Sequence, residues 1–268
     1  RVGSRRPLLV TRRVVFRPGR DPATRIKYAA AEHVVGVSSA VRDVLADWGV
    51  APGRLGVVHD AAVLEDHSRA DAVNALRRRF QRKRVVGCVA SLVPAKDHAT
   101  LLRVAQRLAV ARSDTVVLLV GDGRLRRALE EQARALGLAN VVFEGFPADP
   151  DSYYKVFDAF ALTSIEEGLP SAILEAFCYA VPVVATRAGG VPELVRDGDT
   201  GLLCDMGDDE AVARGLLRVL EDANLRDHLT QGARRHLEGN FTVDRMAAKY
   251  IELYDGLVRP APSDASRR

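Results

Sequence analysis

The chain has 268 residues, 47% apolar and 28% charged, a balance that can bury a core and solvate a surface, which excludes a disordered chain. Its length suits one large or two modest domains, and two are expected. The formal net charge of +4 hides two basic stretches, Arg1 to Arg20 and Arg77 to Arg84, yet Trp48 is the single tryptophan and no aromatic platform interleaves with the arginines, so nucleic acid is not an expected partner.

In chain order, the opening RVGSRRPLLVTRR lacks the apolar run and small-residue cleavage site of a leader, and no apolar run approaches the roughly 20 residues that span a bilayer. A cytoplasmic protein is expected. The basic stretches read either as solvated faces or as surfaces drawn to an anionic acceptor or to anionic lipid, which would hold the protein peripherally at the inner face of a membrane.

Leu8 to Thr11 reads as a strand, Ala23 to Glu32 as a helix, Val34 to Ser38 as a second strand, and the residues up to Trp48 as a helix stopped by Gly49. A short strand from Val57 to His59 leads into AAVLEDHSRAD, which is polar and has no periodic apolar face, placing a domain boundary near residue 65. From Arg84 onward VVGCVAS, TVVLLV, VVFEG, AFALT, VPVVAT and GLLC alternate with helical patterns, as in βαβ units. Runs apolar at every position are strands covered on both faces, so the sheet is parallel and the fold class is α/β, doubly wound.

Helices are then expected from Asp208 to about Ala223, on to Glu238, and from Val243 to Val258, before a disordered tail PAPSDASRR. The expected division is 1–65, 66–240, and 241–268 as a helix packing back on the first domain plus the tail. The first part supplies about three strands, too few for a full doubly wound sheet. That shortage and the initial Arg point to an N-terminal truncation, although processing alone would explain the missing Met. Cys88, Cys178 and Cys204 lie far apart in apolar runs, without zinc or disulfide spacing, and read as reduced core residues.

Ligands of a parallel sheet bind beyond the carboxyl ends of its strands. Four loops fall there: SLVPAKD, GDGR, GFPAD and SIEEGLPS. In the last, a helix beginning near Pro170 or Ser171 would put Glu175 one turn in, on the side of Ser171, with Glu167 on the loop before it. Alone, such glutamates read as a cap and a solvated side chain. With Lys96 on the same edge they suit a nucleotide sugar, whose hydroxyls donate to carboxylates and whose diphosphate takes the ammonium and helix amides. Gly121 and Gly123 lack the third glycine of a dinucleotide fingerprint, Arg126 taking its place, and read as a tight turn or as close approach to a ligand. A nicotinamide dehydrogenase is therefore remote.

The ordered series VSSAVRDVL, VVHDAAVLE, SLVPAKDH, VGDGRLRRALEE, VVFEGF, FDAFALTSIEEGLPSAILEAF and VPVVATRAGGVPELVRDGDTGLLC resembles the retaining glycosyltransferases of family four. The resemblance implies the GT-B architecture of two facing Rossmann-like domains, the first incomplete here. It implies transfer of a hexose from a UDP-, GDP- or ADP-sugar to a hydroxyl of a saccharide or lipid-linked acceptor, with retention, in polysaccharide or lipopolysaccharide synthesis. No metal and no cofactor beyond the sugar nucleotide are implied.

It further implies that Glu167 faces the sugar hydroxyls, that Glu175 meets ribose or phosphate, and that Lys96 binds the diphosphate and shares the catalytic role with Glu167. Gly168, Leu169 and Pro170 would line the sugar with backbone groups, Leu174 would lie near the phosphates, and Phe146 would approach the nucleobase unless it is a core aromatic. Family members commonly carry Arg where this chain has Ser91. They often carry His after the first strand's Thr, where Arg12 and Arg13 stand as acceptor-side candidates. A nucleotide-sugar epimerase and a non-catalytic binding subunit are the alternatives, and a fragment without the opening strands can bind donor without turning over.

Overall fold

A computed structural model describes residues 7–258. In chain order it contains β1 (Leu9–Arg12), α1 (Pro22–Ala30), β2 (His33–Gly36), α2 (Ser39–Trp48) and β3 (Leu55–Val57). There follow α3 (Ala70–Arg79), β4 (Arg84–Val89), α4 (His98–Ala111), β5 (Thr115–Val120), α5 (Arg126–Ala135), β6 (Val141–Gly145), α6 (Asp151–Tyr154) and β7 (Ala159–Leu162). The chain continues through α7 (Ser171–Cys178), β8 (Val183–Thr186), α8 (Val191–Leu194), β9 (Leu202–Cys204), α9 (Asp209–Glu221), α10 (Ala223–Asn240) and α11 (Val243–Val258). The expected tail lies outside the described residues, as do Arg1, Arg5 and Arg6.

Two parallel sheets result: β1-β2-β3, and β6-β5-β4-β7-β8-β9. The second runs outward from β4 to β6, then returns to β7 beside β4, so the strand order reverses between β4 and β7. There neighbouring crossovers leave for opposite faces and a crevice opens at the strand ends. One face packs on α4, α5 and α9 through Leu101, Leu108, Leu129 and Leu216; the other packs on α3, α6, α7 and α10 through Leu76, Tyr154, Ile173 and Leu237. TVVLLV is buried at all six positions, as two-sided cover requires.

Three expectations need correction. The third strand is Leu55–Val57 instead of Val57 to His59, because it pairs with Val34 to Gly36 and ends where the chain turns toward the second sheet. Residues 70–79, where the sequence pattern predicts no element, form α3, which buries Val73 and Leu76 and exposes its arginines. Arg79 and Arg84 of that basic stretch pair with Glu144 and Asp158 at 2.7 and 2.8 Å, so the run is partly neutralised internally. Gly49, in contrast, ends α2 as expected, with φ 114° in the left-handed region.

The two sheets are tied together at Glu193 of α8. Its Oε1 accepts from the Ser39 amide at the start of α2 (2.8 Å) and its Oε2 lies 2.8 Å from His59 Nε2. Phe241 packs edge-on against both His59 and His236, while His236 Nε2 meets the Glu193 carbonyl at 2.9 Å. Burial works to raise the Glu193 carboxyl, but the His59 hydrogen bond and charge and the amides of Ser39 and Ala40 outweigh it, leaving it below its usual value. α11 lies over the first sheet, with Tyr250 Oη 3.1 Å from Thr11 Oγ1.

A carboxyl depressed in the folded state stabilises fully above the usual glutamate range and loses that contribution as pH falls through the depressed value. Glu193→Gln should therefore lower stability at neutral pH by roughly 1.5–3 kcal/mol, the range for hydrogen bonds to charged groups, and flatten the acid limb of the stability profile. Urea denaturation at several pH values measures both, and an acid limb as steep as wild type would rule the clasp out as its source.

Candidate functional site

The site is built where the strand order reverses. After β4 the chain makes one 3-10 turn, Pro94–Lys96, ended by Asp97 at φ 41°. Asp97 also caps α4, its carboxylate accepting from the Thr100 amide at 3.3 Å and hydroxyl at 2.5 Å. The loop from β7 to α7 lies alongside: the amides of Ile165 and Glu166 both donate to the Ala95 carbonyl (2.9 and 3.3 Å), and Thr163 Oγ1 donates to the Asp97 carbonyl at 3.0 Å.

That lacing sets Lys96 Nζ 2.5 Å from Glu167 Oε1, which also accepts from Ser164 Oγ at 2.6 Å. Glu167 is only 6% exposed, and a buried carboxylate is retained only when paired and hydrogen-bonded. Its Oε2 makes no hydrogen bond among the described residues, and Lys96 has donors beyond the one given to Glu167. The pair can therefore present an acceptor and a cation to one ligand.

Glu175 sits eight residues on, in α7, whose N-cap Pro170 makes no side-chain bond to the first-turn amides. With Ser171, Ser91, Gly121 and Phe146 it lines a cavity of about 260 Å³ beyond the ends of β4 and β5. Ser171 and Glu175 thus share one side of the helix, as expected. Glu175 Oε2 accepts from Tyr154 Oη at 2.8 Å; no cation pairs with this carboxylate among the described residues. Phe146 is 85% exposed, which removes the reading of a core aromatic. Gly121, at φ 142°, would put a Cβ 2.1 Å from the Ala90 carbonyl oxygen, so glycine is required for loop packing at the same place where it borders the cavity.

Other candidates are less open than the sequence suggests. Gly168, Leu169 and Pro170 are buried, with the Arg13 carbonyl lying over Gly168. Leu174 is 1% exposed and, with Glu175, borders a second cavity of about 250 Å³ against Val63 and His67 of the connection. Arg12 donates to the carbonyls of Val14 and Phe16 and to Tyr28 Oη, whereas the exposed Arg13 pairs with Asp60 at 2.8 Å. A larger cavity of about 500 Å³ beside Tyr28 and Trp48 contains none of the expected site residues, and its Arg54 is turned onto the carbonyls that end α1.

Cys88 and Cys204 are buried, and burial pushes the Cys88 thiol up to about 12. Cys178 departs from the core reading: it is half-buried beside the second cavity, 3.5 Å from the Val63 carbonyl. The sequence reading missed Ser164, Tyr154 and Glu193. Ser164 opens the loop SIEEGLPS and Glu193 lies inside GGVPEL, both within stretches already singled out, whereas Tyr154 lies in neither.

Residues 74–236, which hold every strand of the second sheet and all of Lys96, Glu167 and Glu175, match the model of the family "Glycosyl transferases group 1". The chain belongs to the glycosyl transferases group 1 family. It is 34% identical over 171 residues to the lipopolysaccharide core biosynthesis glycosyltransferase LpsE of Rhizobium meliloti (strain 1021), covering 63% of this chain and 49% of that protein. It is also 34% identical over 243 residues to the D-inositol 3-phosphate glycosyltransferase of Salinispora arenicola, covering 82% and 54%. The chain spans about half the length of these curated relatives. Among solved structures, Anabaena Alr3699/HepE in complex with UDP-glucose superposes with a TM-score of 0.84 at 24% identity, over 93% of this chain and 72% of that one, a likeness of GT-B fold.

Backbone approaches here leave no room for side chains. A Cβ on Gly190 would lie 2.0 Å from the Gly168 carbonyl oxygen, and one on Gly189 1.9 Å from that of Glu167. Gly190→Ala should displace the Glu167 loop and cost roughly 1–3 kcal/mol of stability, as overpacking does. Gly198→Ala serves as a control: it faces open space but carries the strain of φ 76°. Thermal unfolding together with nucleotide titration separates the two, since only Gly190→Ala should also weaken a ligand held at Glu167.

Proposed function

We propose that this chain is the donor-binding part of a retaining glycosyltransferase, one that moves a hexose from a nucleoside diphosphate sugar to a hydroxyl of a saccharide or lipid-linked acceptor. The observation that carries the reading is the meeting of Lys96 with Glu167 at the strand-order reversal, with Glu175 on the helix that the same loop begins. Lys96 and the uncapped start of α7 would neutralise the departing diphosphate, electrostatic stabilisation of developing charge being a large contribution to catalysis. Glu167, one oxygen committed to Lys96 and Ser164, would orient sugar hydroxyls with the other. That commitment argues against a role as covalent nucleophile.

The donor would be a UDP-, GDP- or ADP-sugar. The Anabaena protein's complex with UDP-glucose favours the first, and the GDP-mannose-dependent phosphatidylinositol monomannoside mannosyltransferase of Mycolicibacterium smegmatis, 33% identical over 198 residues, favours the second. Relatives that act in lipopolysaccharide core synthesis and on phosphatidylinositol mannoside support a role in lipopolysaccharide or glycolipid assembly. The acceptor side would be the lobe before residue 65, with Arg13 the more accessible of its two candidates.

Lys96→Ala and Glu175→Ala should each weaken binding of the cognate sugar nucleotide about tenfold or more, as loss of a charge-assisted contact does. Glu167→Ala should affect the sugar nucleotide more than the bare nucleotide. Calorimetry with UDP-, GDP- and ADP-sugars measures this, and unchanged affinity in both alanine variants would sink the site assignment. Incubation with donor alone should leave the sugar's configuration intact; conversion without acceptor would instead identify an epimerase.

Contact with the inner face of a membrane is part of the same reading. Arg17, Arg20, Arg25 and Lys27 are exposed near Phe16 and Ile26, which are 57% and 67% exposed, a surface of cations and apolar side chains suited to anionic lipid. No helix among the described residues is long and apolar enough to cross a membrane. Flotation with vesicles containing phosphatidylglycerol should recover the protein at low salt, less so at high salt, and less for Arg25→Glu; recovery independent of lipid charge would exclude this surface.

A further inference from the structure

Two adjacent tyrosines of α6 each hold a glutamate, and the two glutamates are left in opposite states. Tyr153 Oη donates to Glu144 Oε1 at 2.8 Å, but Arg79 also donates to both oxygens of that carboxylate, at 2.8 and 2.7 Å, so it is neutralised internally. Tyr154 Oη donates to Glu175 Oε2 at 2.8 Å, and Glu175 receives no cation among the described residues. Its Oε1 accepts no hydrogen bond there, although the residue lines the cavity shared with Ser171 and Phe146. A carboxylate fixed by one neutral donor and left charged is an acceptor held ready for hydroxyls of a ligand.

Tyr154 is built to hold that geometry. It is 1% exposed, its ring stacks on Tyr179 at 5.6 Å and 8° and meets Phe157 edge-on at 5.4 Å, so packing fixes the ring. The Ala172 carbonyl lies 3.3 Å from the same hydroxyl, but a phenol has one hydrogen and the shorter, charged acceptor takes it. Burial, and then the Glu175 charge, push the Tyr154 phenol well above its usual range, so it remains a donor throughout the working pH range.

We infer that Tyr154 is a positioning residue for Glu175, setting one carboxylate oxygen to accept from the vicinal hydroxyls of a ribose, so that preference for ribonucleotide over deoxyribonucleotide donors depends on its hydroxyl. This inference rests on the donor-site reading above. The chemistry is that of a diol: two adjacent O–H donors meet a charged acceptor beside the exposed face of Phe146, on which a base can stack.

The test uses the full chain and calorimetry with UDP, GDP and ADP, followed by the 2′- and 3′-deoxy analogues of whichever binds tightest. Tyr154→Phe keeps the stacked ring and removes only the hydroxyl; it should weaken the ribonucleotide roughly tenfold, leave the deoxy analogues within about twofold, and so collapse the ratio between them. Tyr153→Phe, which removes the corresponding but less deeply buried hydroxyl at Glu144, should keep the wild-type ratio, and circular dichroism melting checks that both variants fold. A wild-type ratio in Tyr154→Phe, with the ratio lost in Glu175→Ala, overturns the role of Tyr154 alone. Wild-type ratios in both variants, or no binding of any of the three nucleotides by wild type, overturn the donor-site reading and this role with it.

Discussion

Close backbone packing at Gly168 is the constraint on which the rest of the structure depends. The Arg13 carbonyl of the first lobe lies on one side of it and Gly190 of the second lobe on another, each near enough that a Cβ would fall about 2.0 Å from an oxygen. Gly190 N in turn donates to the Glu167 carbonyl at 3.1 Å. The loop that carries Glu167 is therefore clamped by main chain, which has fewer ways to relax than a side chain would have. Glu193 fastens the same region from the other direction by holding Ser39 and His59. The position of the site carboxylate and the relative placement of the two sheets are one geometric fact.

The two glutamates that look alike in EEGLPSAILE are not alike in the folded chain. Glu167 is buried beside a cation and a serine hydroxyl, Glu175 lines a cavity and is held by a phenol. A carboxylate already facing Lys96 offers a ligand a balanced pair, suited to a group that itself carries both hydroxyls and phosphate nearby. A carboxylate facing only a neutral donor keeps its full charge for hydroxyls. Identical residue types thus acquire separate surroundings from their neighbours, seventy-one positions away in one case and twenty-one in the other.

Those separations explain what the sequence could convey. The strands at the centre of the second sheet were legible because burial on both faces demands runs that are apolar almost throughout, and TVVLLV, AFAL and VVAT are buried at every position. Glycine stops and the helix after EEGLP were legible because their cause is local, at Gly49 and Pro170. α3 was not, since its buried residues, Val73 and Leu76, are outnumbered by arginines and its packing surface is supplied by α6. Tyr154 was invisible for a related reason: α6 is four residues long, too short for any periodicity, and its partner comes from another helix. Gly56 at the centre of β3 weakened the strand signal and moved the expected strand two residues on.

Asp97 has a consequence for the direction of the field in the crevice. In many doubly wound proteins the helix after the first strand of the unit offers its bare amino end to an anion. Here Asp97 occupies the start of α4, so that helix already has an anion of its own, covalently supplied and permanently bound. Across the strand-order reversal α7 has no such occupant, Pro170 being unable to furnish one. The two helix starts that border the crevice are consequently unequal, one holding a carboxylate of its own and the other leaving its first-turn amides without a side-chain cap.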